Sequence, residues 1–508
     1  MTQAPDPADL VSYGKRISDL AARHPDDTAM VFAASDGSDL EISWRELDER
    51  SSQVARLLAS RGAGLGDLVA CGLPNSPGHF YVTIGAWKAG AGCVPVRWDV
   101  PVWERERVLD VAHAMLLVGD HVDSSVPVIT ADEIRATTSL PSEPLPDVVP
   151  CPASGIASSG STGTPKIIVS PMPGAEVPGS LRPMPSAYVE IPAHLPQLIP
   201  APLYHTNGFL VAHMSLRNDQ LTVVMEKFDA ARALGLIEKW ELACFTAVPT
   251  MLARMARASD ERAYDLSSLF YVMQGGAPIP DWVVDKWIEL VGADRFYMTY
   301  GSSERVGLTI VRADEWQHHR GTVGRGYQTL IRILDDEGKE LPPGEVGEIF
   351  MLQPDAPGPS FAYVGAAAPK VTPDGYTSIG DMGRLDEDGF LYIADRRSDM
   401  IVTGGANVFP AEVEAALSEH PLVHDVVVVG LSDPEWGRRV HAIVEPTDVA
   451  NPPTVADLDA HTRARVAAYK VPKEYEIIDR MPRNEAGKVN RNNLAAERAS
   501  SVRSQTTA

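Results

Sequence analysis

Nine consecutive residues, Ser158-Ser159-Gly160-Ser161-Thr162-Gly163-Thr164-Pro165-Lys166, bring together two glycines, five hydroxyls and a closing lysine. Glycine lets a backbone turn and approach a ligand closely. Amides and hydroxyls donate to phosphate oxygens, and an ammonium adds a point cation. This is the composition of a phosphate-gripping loop. It departs from the GxxxxGK[ST] pattern, because Lys166 follows Thr164-Pro165 and precedes Ile167, so it would meet the phosphates in a different geometry. A flexible linker, the alternative reading, has no need of Pro-Lys after its glycines. The neighbours His318 and His319 offer two imidazoles, but adjacent residues on a strand point to opposite faces, so they are expected at the surface rather than on one metal ion.

Further groups of polar and glycine-rich residues follow in order: Pro202-Leu203-Tyr204-His205-Thr206-Asn207-Gly208-Phe209, Gly275-Gly276-Ala277-Pro278, Tyr300-Gly301-Ser302-Ser303-Glu304 and Ser378-Ile379-Gly380-Asp381. Then come Asp395-Arg396-Arg397-Ser398-Asp399, Gly404-Gly405-Ala406-Asn407-Val408-Phe409-Pro410-Ala411-Glu412-Val413-Glu414 and Pro482-Arg483-Asn484-Glu485-Ala486-Gly487-Lys488. With the loop, they resemble the adenylate-forming superfamily of acyl-CoA synthetases, peptide-synthetase adenylation domains and luciferases. The corresponding family motifs are [ST]SG[ST]TGxPK, PLxHxxG, GGAP, YGxTE, (T/S)GD, a GRxxD-type hinge, GGxNVxPxEVE and PRxxxGK. The likeness runs from the first helix almost to the C-terminus.

The resemblance implies an AMP-forming acid–thiol ligase. A carboxylate attacks the α-phosphorus of ATP, pyrophosphate leaves, and the acyl-adenylate passes its acyl group to coenzyme A. Attack on a tetra-anion requires repulsion to be cancelled and the reactants to be held in line. On this reading Ser158, Ser159, Gly160, Ser161, Thr162, Gly163, Thr164 and Lys166 hold the β and γ phosphates. Glu304 holds Mg²⁺, a hard cation suited to one carboxylate plus phosphate oxygens. Gly275, Gly276, Ala277, Tyr300, Gly301, Ser302 and Ser303 surround the nucleotide, with Tyr300 stacked on adenine. Asp381 accepts from the ribose hydroxyls and Arg396 adds a donor. Lys488, on a glycine-flanked loop, is the catalytic cation reaching both the acid and the α-phosphate. His205 either orients the acyl carboxylate or is a buried, hydrogen-bonded histidine. Ser398 stands at the hinge, where the family has Asp or Lys. Gly404, Gly405, Ala406 and Asn407 line the coenzyme A tunnel once the small domain has rotated.

Arg305 places a cation beside the expected metal and acyl sites, and a second polar or anionic group on the substrate would pair with it. The acyl pocket is expected between the His205 segment, the loop 275–278 and the stretch after Tyr300, lined by Val306, Leu308 and Ile310. The residues around 202–209, 315–325 and 395–414 resemble actinobacterial fatty-acid, bile-acid and steroid acyl-CoA ligases, which implies a bulky or medium to long hydrophobic acid; an aromatic acid fits equally. Other acceptors remain open, namely a carrier-protein thiol, an amine or an inorganic nucleophile such as nitrite. So do a luciferase-like oxygenase and a nucleotide-binding regulator without turnover.

The elements that must position these residues are legible in part. Ser43-Trp44-Arg45-Glu46 reads as a capping box opening a helix through Leu47, Val54, Leu57 and Leu58, with Gly62 as its stop. Residues 68–73 read as a buried strand, so helix and strand alternate. Dense prolines from Pro171 to Pro202 point to an extended surface segment. A helix over 410–417 and a strand over 426–429 mark a smaller unit. The resemblance implies an α/β chain with a large N-terminal domain of layered αβαβα subdomains plus a β-barrel-like part, and a small mobile α+β C-terminal domain. Boundaries are expected at 1–396 and 397–500, with a frayed tail at 501–508.

The chain has 508 residues, 44% of them hydrophobic, so it can bury large cores. Four cysteines lie scattered without CxxC spacing, so neither a disulfide framework nor a zinc ribbon is indicated, and a reducing cytoplasm suits the chain. A formal charge of −23 opposes binding to nucleic acid and anionic membrane. The expected partners are therefore a small carboxylic acid, ATP and coenzyme A, with no stable membrane association, in a monomer or homodimer.

Overall fold

The computed structural model describes residues 9–120, 123–159, 165–169, 173–180, 183–354, 361–364, 368–396, 399–403, 406–484 and 489–505. Short apolar runs such as Thr222–Met225, Cys244–Ala247 and Tyr271–Gln274 are buried along their whole length, as strands covered on both faces must be. They form the middle of a nine-stranded sheet. Its order is Arg325–Tyr327, Leu308–Arg312, Phe296–Gly301, Tyr271–Gln274, Cys244–Ala247, Gln197–Ile199, Thr222–Met225, Thr28–Ala33 and Asp39–Ser43. The interior pairs are parallel and both ends are closed by antiparallel strands. A four-stranded parallel sheet is built on Leu68–Cys71 and its neighbours. Two antiparallel sheets, one of six strands and one of three, and a two-stranded pair of Val11–Ser12 with Ala175–Glu176 belong to the large N-terminal part as well. The small C-terminal part is a sheet of Val423–Asp433, Gly437–Pro446 and Glu474–Ile477, packed by the helices Pro410–Ser418, Val455–Arg463 and Arg491–Gln505.

Several expectations are corrected. The proline-rich segment is not wholly superficial, since Gln197–Ile199 is a buried interior strand between Thr222–Met225 and Cys244–Ala247. Pro196 and Pro200 lie just outside it, and Pro196 contributes only its carbonyl, which accepts from the amide of Ala243 at 2.9 Å. The capping box forms by half. The Ser43 hydroxyl accepts from the Glu46 amide at 3.1 Å, whereas the Glu46 carboxylate receives the Tyr81 hydroxyl at 3.0 Å, because the helix Pro77–Lys88 packs against this first turn. His318 and His319 lie in a turn after Ala313–Trp316, not in a strand. His319 stacks on Phe390 at 3.8 Å and contacts Asp386 at 3.1 Å. Among the described residues no helix is long and apolar enough to cross a membrane.

Trp287 anchors the core beneath the nine-stranded sheet. It is fully buried, stacked on Phe296 and edge-on to Phe245, and its indole N–H donates to Leu252 O at 3.1 Å. Trp287→Ala is expected to cost about 3–5 kcal/mol from the cavity and the stranded carbonyl. A smaller shift in the urea midpoint of the large part would overturn that assignment.

Candidate active site

The two ends of the hydroxyl- and glycine-rich stretch lie on paired strands. Strand Gly155–Ser159 pairs antiparallel with Pro165–Val169, Ser158 opposite Lys166 and Ser159 opposite Pro165. Gly160, Ser161, Thr162, Gly163 and Thr164 lie outside the described residues, and Ser158 and Ser159 are described by their backbone alone. The third strand of this sheet, Ala362–Val364, places Tyr363 opposite Ile168. Lys166 Nζ therefore lies 3.9 Å over the Tyr363 ring and 3.0 Å from Glu304 Oε1, and the Tyr363 hydroxyl donates to the same oxygen at 2.8 Å.

Glu304 is only 7% exposed. Burial by itself would raise its pKa. The hydrogen bond from Tyr363 and the charge of Lys166 outweigh that and hold it below the ordinary glutamate value. The carboxylate is thus ionised and buried at the edge of the main cavity. Among the described residues, the hydrogen bonds it receives from other side chains both fall on Oε1. A single buried anionic oxygen suits Mg²⁺.

The second cluster forms where two sheets meet. Tyr300 ends the strand Phe296–Gly301, and its hydroxyl donates to Asp381 Oδ2 at 2.6 Å. Asp381 pairs in register with Arg396 across the strands Asp381–Leu385 and Leu391–Arg396, so the expected ribose pair is brought together. The Arg396 side chain is outside the described residues. The loop 275–278 follows Tyr271–Gln274, and its turn is held by Gln274 Nε2 donating to Ala277 O at 2.6 Å. Gly276 takes a left-handed φ of 89° there, which glycine adopts without steric cost.

His205 caps the helix Thr206–Arg217. Thr206 Oγ1 lies within hydrogen-bond distance of Ser303 Oγ, which ties the start of this helix to the strand end bearing Glu304. Gly208 explains the motif's last position, because a Cβ there would sit 2.2 Å from Pro202 O. Gly275, Gly276, Ala277, Tyr300, Gly301, Ser302, Ser303, Glu304, Asp381, Lys166 and His205 all face one continuous cavity.

Of the expected apolar lining, Leu308 faces this cavity. Val306 and Ile310 are instead packed in separate cores, beside Ile168 and Met351 and beside Tyr271 and Tyr297. Ala406 and Asn407 sit on the hairpin Ile401–Thr403/Ala406–Val408, away from the cavity wall. Ser398, Gly404, Gly405 and Lys488 lie outside the described residues. Tyr363 was missed from sequence. It belongs to no motif, and only the pairing of its strand with Pro165–Val169 brings it to Glu304.

Removing the Tyr300 hydroxyl should loosen this second cluster. Tyr300→Phe is expected to raise the KM for ATP about three- to tenfold, or about 0.7–1.4 kcal/mol, the net contribution of one ordinary hydrogen bond. An unchanged KM would detach Asp381 from nucleotide binding.

Residues 17–356 match the model of the AMP-binding enzyme family and residues 412–488 that of the AMP-binding enzyme C-terminal domain. The chain is 30% identical over 478 residues to the fatty acid–[acyl-carrier-protein] ligase ScoC of Streptomyces coeruleorubidus, covering 89% of this chain and 91% of that protein. It is 30% identical over 464 residues to a feruloyl-CoA synthase of an Amycolatopsis species, covering 88% and 92%. Among solved structures it resembles o-succinylbenzoate CoA synthetase of Bacillus subtilis bound to its acyl-adenylate intermediate, with TM-score 0.80, 25% identity and coverage of 96% and 98%. Against a double mutant of that enzyme bound to a product analogue, the TM-score is 0.66 at the same coverage.

Proposed function

This chain belongs to the AMP-binding enzyme family, and from that membership we propose that it activates a carboxylic acid as the acyl-adenylate with release of pyrophosphate, then transfers the acyl group to coenzyme A. The observation that carries this reading is the buried, ionised Glu304 held by Lys166 and Tyr363 on the same cavity as Tyr300 and Asp381.

The residues divide the work. Lys166 and the loop 158–166 meet the β and γ phosphates and ease the departure of pyrophosphate. Bound with ATP, Mg²⁺ would be held by Glu304 and would withdraw charge from the phosphoryl oxygens. Tyr300 and the loop 275–278 take the adenine, and Asp381 with Arg396 takes the ribose. His205, at the start of the helix Thr206–Arg217, faces the acyl carboxylate, and Lys488 supplies the cation that bridges acid and α-phosphate.

The domain boundary lies between Arg396 and Arg397, with Ser398 as the hinge. Asp395 Oδ2 accepts from the amide of Ala411 at 3.0 Å and Arg491 lies 3.7 Å from Asp399. Rotation of residues 397–500 would break the Asp395–Ala411 contact, which crosses the boundary, keep the Arg491–Asp399 pair within the moving unit, and carry Gly404, Gly405, Ala406 and Asn407 to the thiol channel. The cavity lining does not include Ala406 or Asn407, which with the higher likeness to an adenylate-bound relative supports an arrangement suited to the first half-reaction.

The test is incubation of the purified protein with Mg-ATP, coenzyme A and fatty, steroid-side-chain and aryl acids, following pyrophosphate, AMP and thioester separately. All three products, dependent on acid, are expected. Pyrophosphate without coenzyme A thioester would move the acceptor to a carrier-protein phosphopantetheine, the reading that the likeness to ScoC favours. ATP binding without AMP formation would replace the ligase with a regulator.

A further inference from the structure

Tyr363 stands where two sheets meet. Its strand, Ala362–Val364, is an edge of the three-stranded sheet and pairs antiparallel with Pro165–Val169, with Tyr363 opposite Ile168. Residues two apart on a strand share a face, so Lys166 and Ile168 project to the side that Tyr363 also occupies. The Tyr363 ring packs against the core of Ile168, Val306, Ile349 and Met351, with the Phe361 ring edge-on at 4.8 Å. Apolar contacts outside the polar site therefore fix where this ring sits.

Two groups of the site rest on that one side chain. The Lys166 ammonium lies 3.9 Å over the ring face, within cation–π range, and the Tyr363 hydroxyl donates to Glu304 Oε1 at 2.8 Å. Lys166 Nζ reaches the same oxygen at 3.0 Å. Glu304 belongs to the other sheet, just beyond the strand Phe296–Gly301. All three side chains line the main cavity. A lysine on its long flexible stem, and a glutamate, lose rotamer freedom when they bind a ligand. Here the ring restrains the one and the hydroxyl the other before any ligand arrives, which lowers the cost of binding.

The two restrained groups suit opposite charges of a single ligand. Lys166 would leave Glu304 for a phosphate oxygen, and Glu304 would exchange the ammonium for the accompanying cation. With only one of these partners present, either Lys166 would face a metal ion or Glu304 would face a triphosphate, each a like-charge contact.

We propose that Tyr363 is a positioning residue with two separable duties: its ring holds the Lys166 ammonium for the triphosphate, and its hydroxyl orients the Glu304 carboxylate for the metal that comes with it. This rests on the ligase reading above and adds to it the side chain that holds these two groups together.

The test uses the full chain, Tyr363→Phe and Tyr363→Leu. Calorimetry measures the binding of ATP in EDTA and of ATP with Mg²⁺, and acid-dependent pyrophosphate release gives kcat and the KM for Mg-ATP. Tyr363→Phe keeps the ring. It should bind metal-free ATP within about twofold of the wild type, while its affinity for Mg-ATP falls about tenfold, the scale for losing a hydrogen bond behind a metal ligand. Tyr363→Leu should lose about threefold or more in metal-free ATP affinity as well, since Lys166 no longer has the ring beneath it. In both variants the KM should rise by a larger factor than kcat falls. Identical behaviour of the two variants overturns the proposal, as does a fall in kcat alone, the mark of lost folded enzyme. An unaltered Mg-ATP affinity in Tyr363→Phe also overturns it. The split in binding without pyrophosphate release from any acid would uphold the positioning role and overturn the ligase reading. Acid-dependent release that neither variant disturbs would do the reverse.

Discussion

Glu304→Gln is expected to lower acid-dependent pyrophosphate release by about a hundredfold to a thousandfold, the scale seen when a group stabilising transition-state charge is removed. The substitution keeps the shape of the side chain and removes its charge. Lys166 then faces a neutral amide at 3.0 Å instead of a carboxylate, and Tyr363 donates to a weaker acceptor. The metal loses its one proposed anionic protein ligand, so the fall should be only partly recovered by raising Mg²⁺. A loss smaller than about tenfold would remove Glu304 from the chemistry.

The same residue sets a pH dependence. Its folded pKa is held below the unfolded value. The stability it contributes is fully present above the unfolded glutamate value of about 4.3 and is lost as pH falls through the lower folded value. Glu304→Gln should flatten that acid limb of the unfolding midpoint, and an unaltered limb would show that the carboxylate is not held as described.

Lys488→Ala should separate the half-reactions. Adenylate formation is expected to fall about a hundredfold or more, because the cation proposed to bridge the acid and the α-phosphate is gone. Thioester formation from synthetic acyl-adenylate and coenzyme A should stay within about tenfold of the wild type, since that step uses the other domain arrangement. Equal losses in both steps would give Lys488 a structural role. No loss in either would place the bridging cation elsewhere, with Lys166 the next candidate, already 3.0 Å from Glu304.

Much of the site is local, and local features are what a chain displays. Gly208 is required because a Cβ would meet Pro202 O only six residues back, and Gly276 because its turn needs a left-handed φ. The helix at Trp44–Ser60 and the strand at Leu68–Cys71 follow from caps and apolar spacing. The readings that failed concerned partners distant in sequence. Glu46 turns to Tyr81 instead of completing its box, and Gln197–Ile199 lies inside the main sheet despite its prolines. Propensity describes a segment, whereas burial is decided by what covers it.

The sequence by itself determined the chemistry: the hydroxyl- and glycine-rich loop, the ordered motifs and their carboxylates and lysines, and an acidic chain that must meet polyanionic ATP with placed cations. Only the tertiary structure decided which groups act as one. Tyr363 reaches Glu304 across 59 residues and Tyr300 reaches Asp381 across 81. It also sends Val306 and Ile310 into cores while Leu308 and Arg305 face the cavity. Residue types and short spacings are written along the chain, but the faces that meet depend on strand register and sheet order, which long-range pairing alone sets.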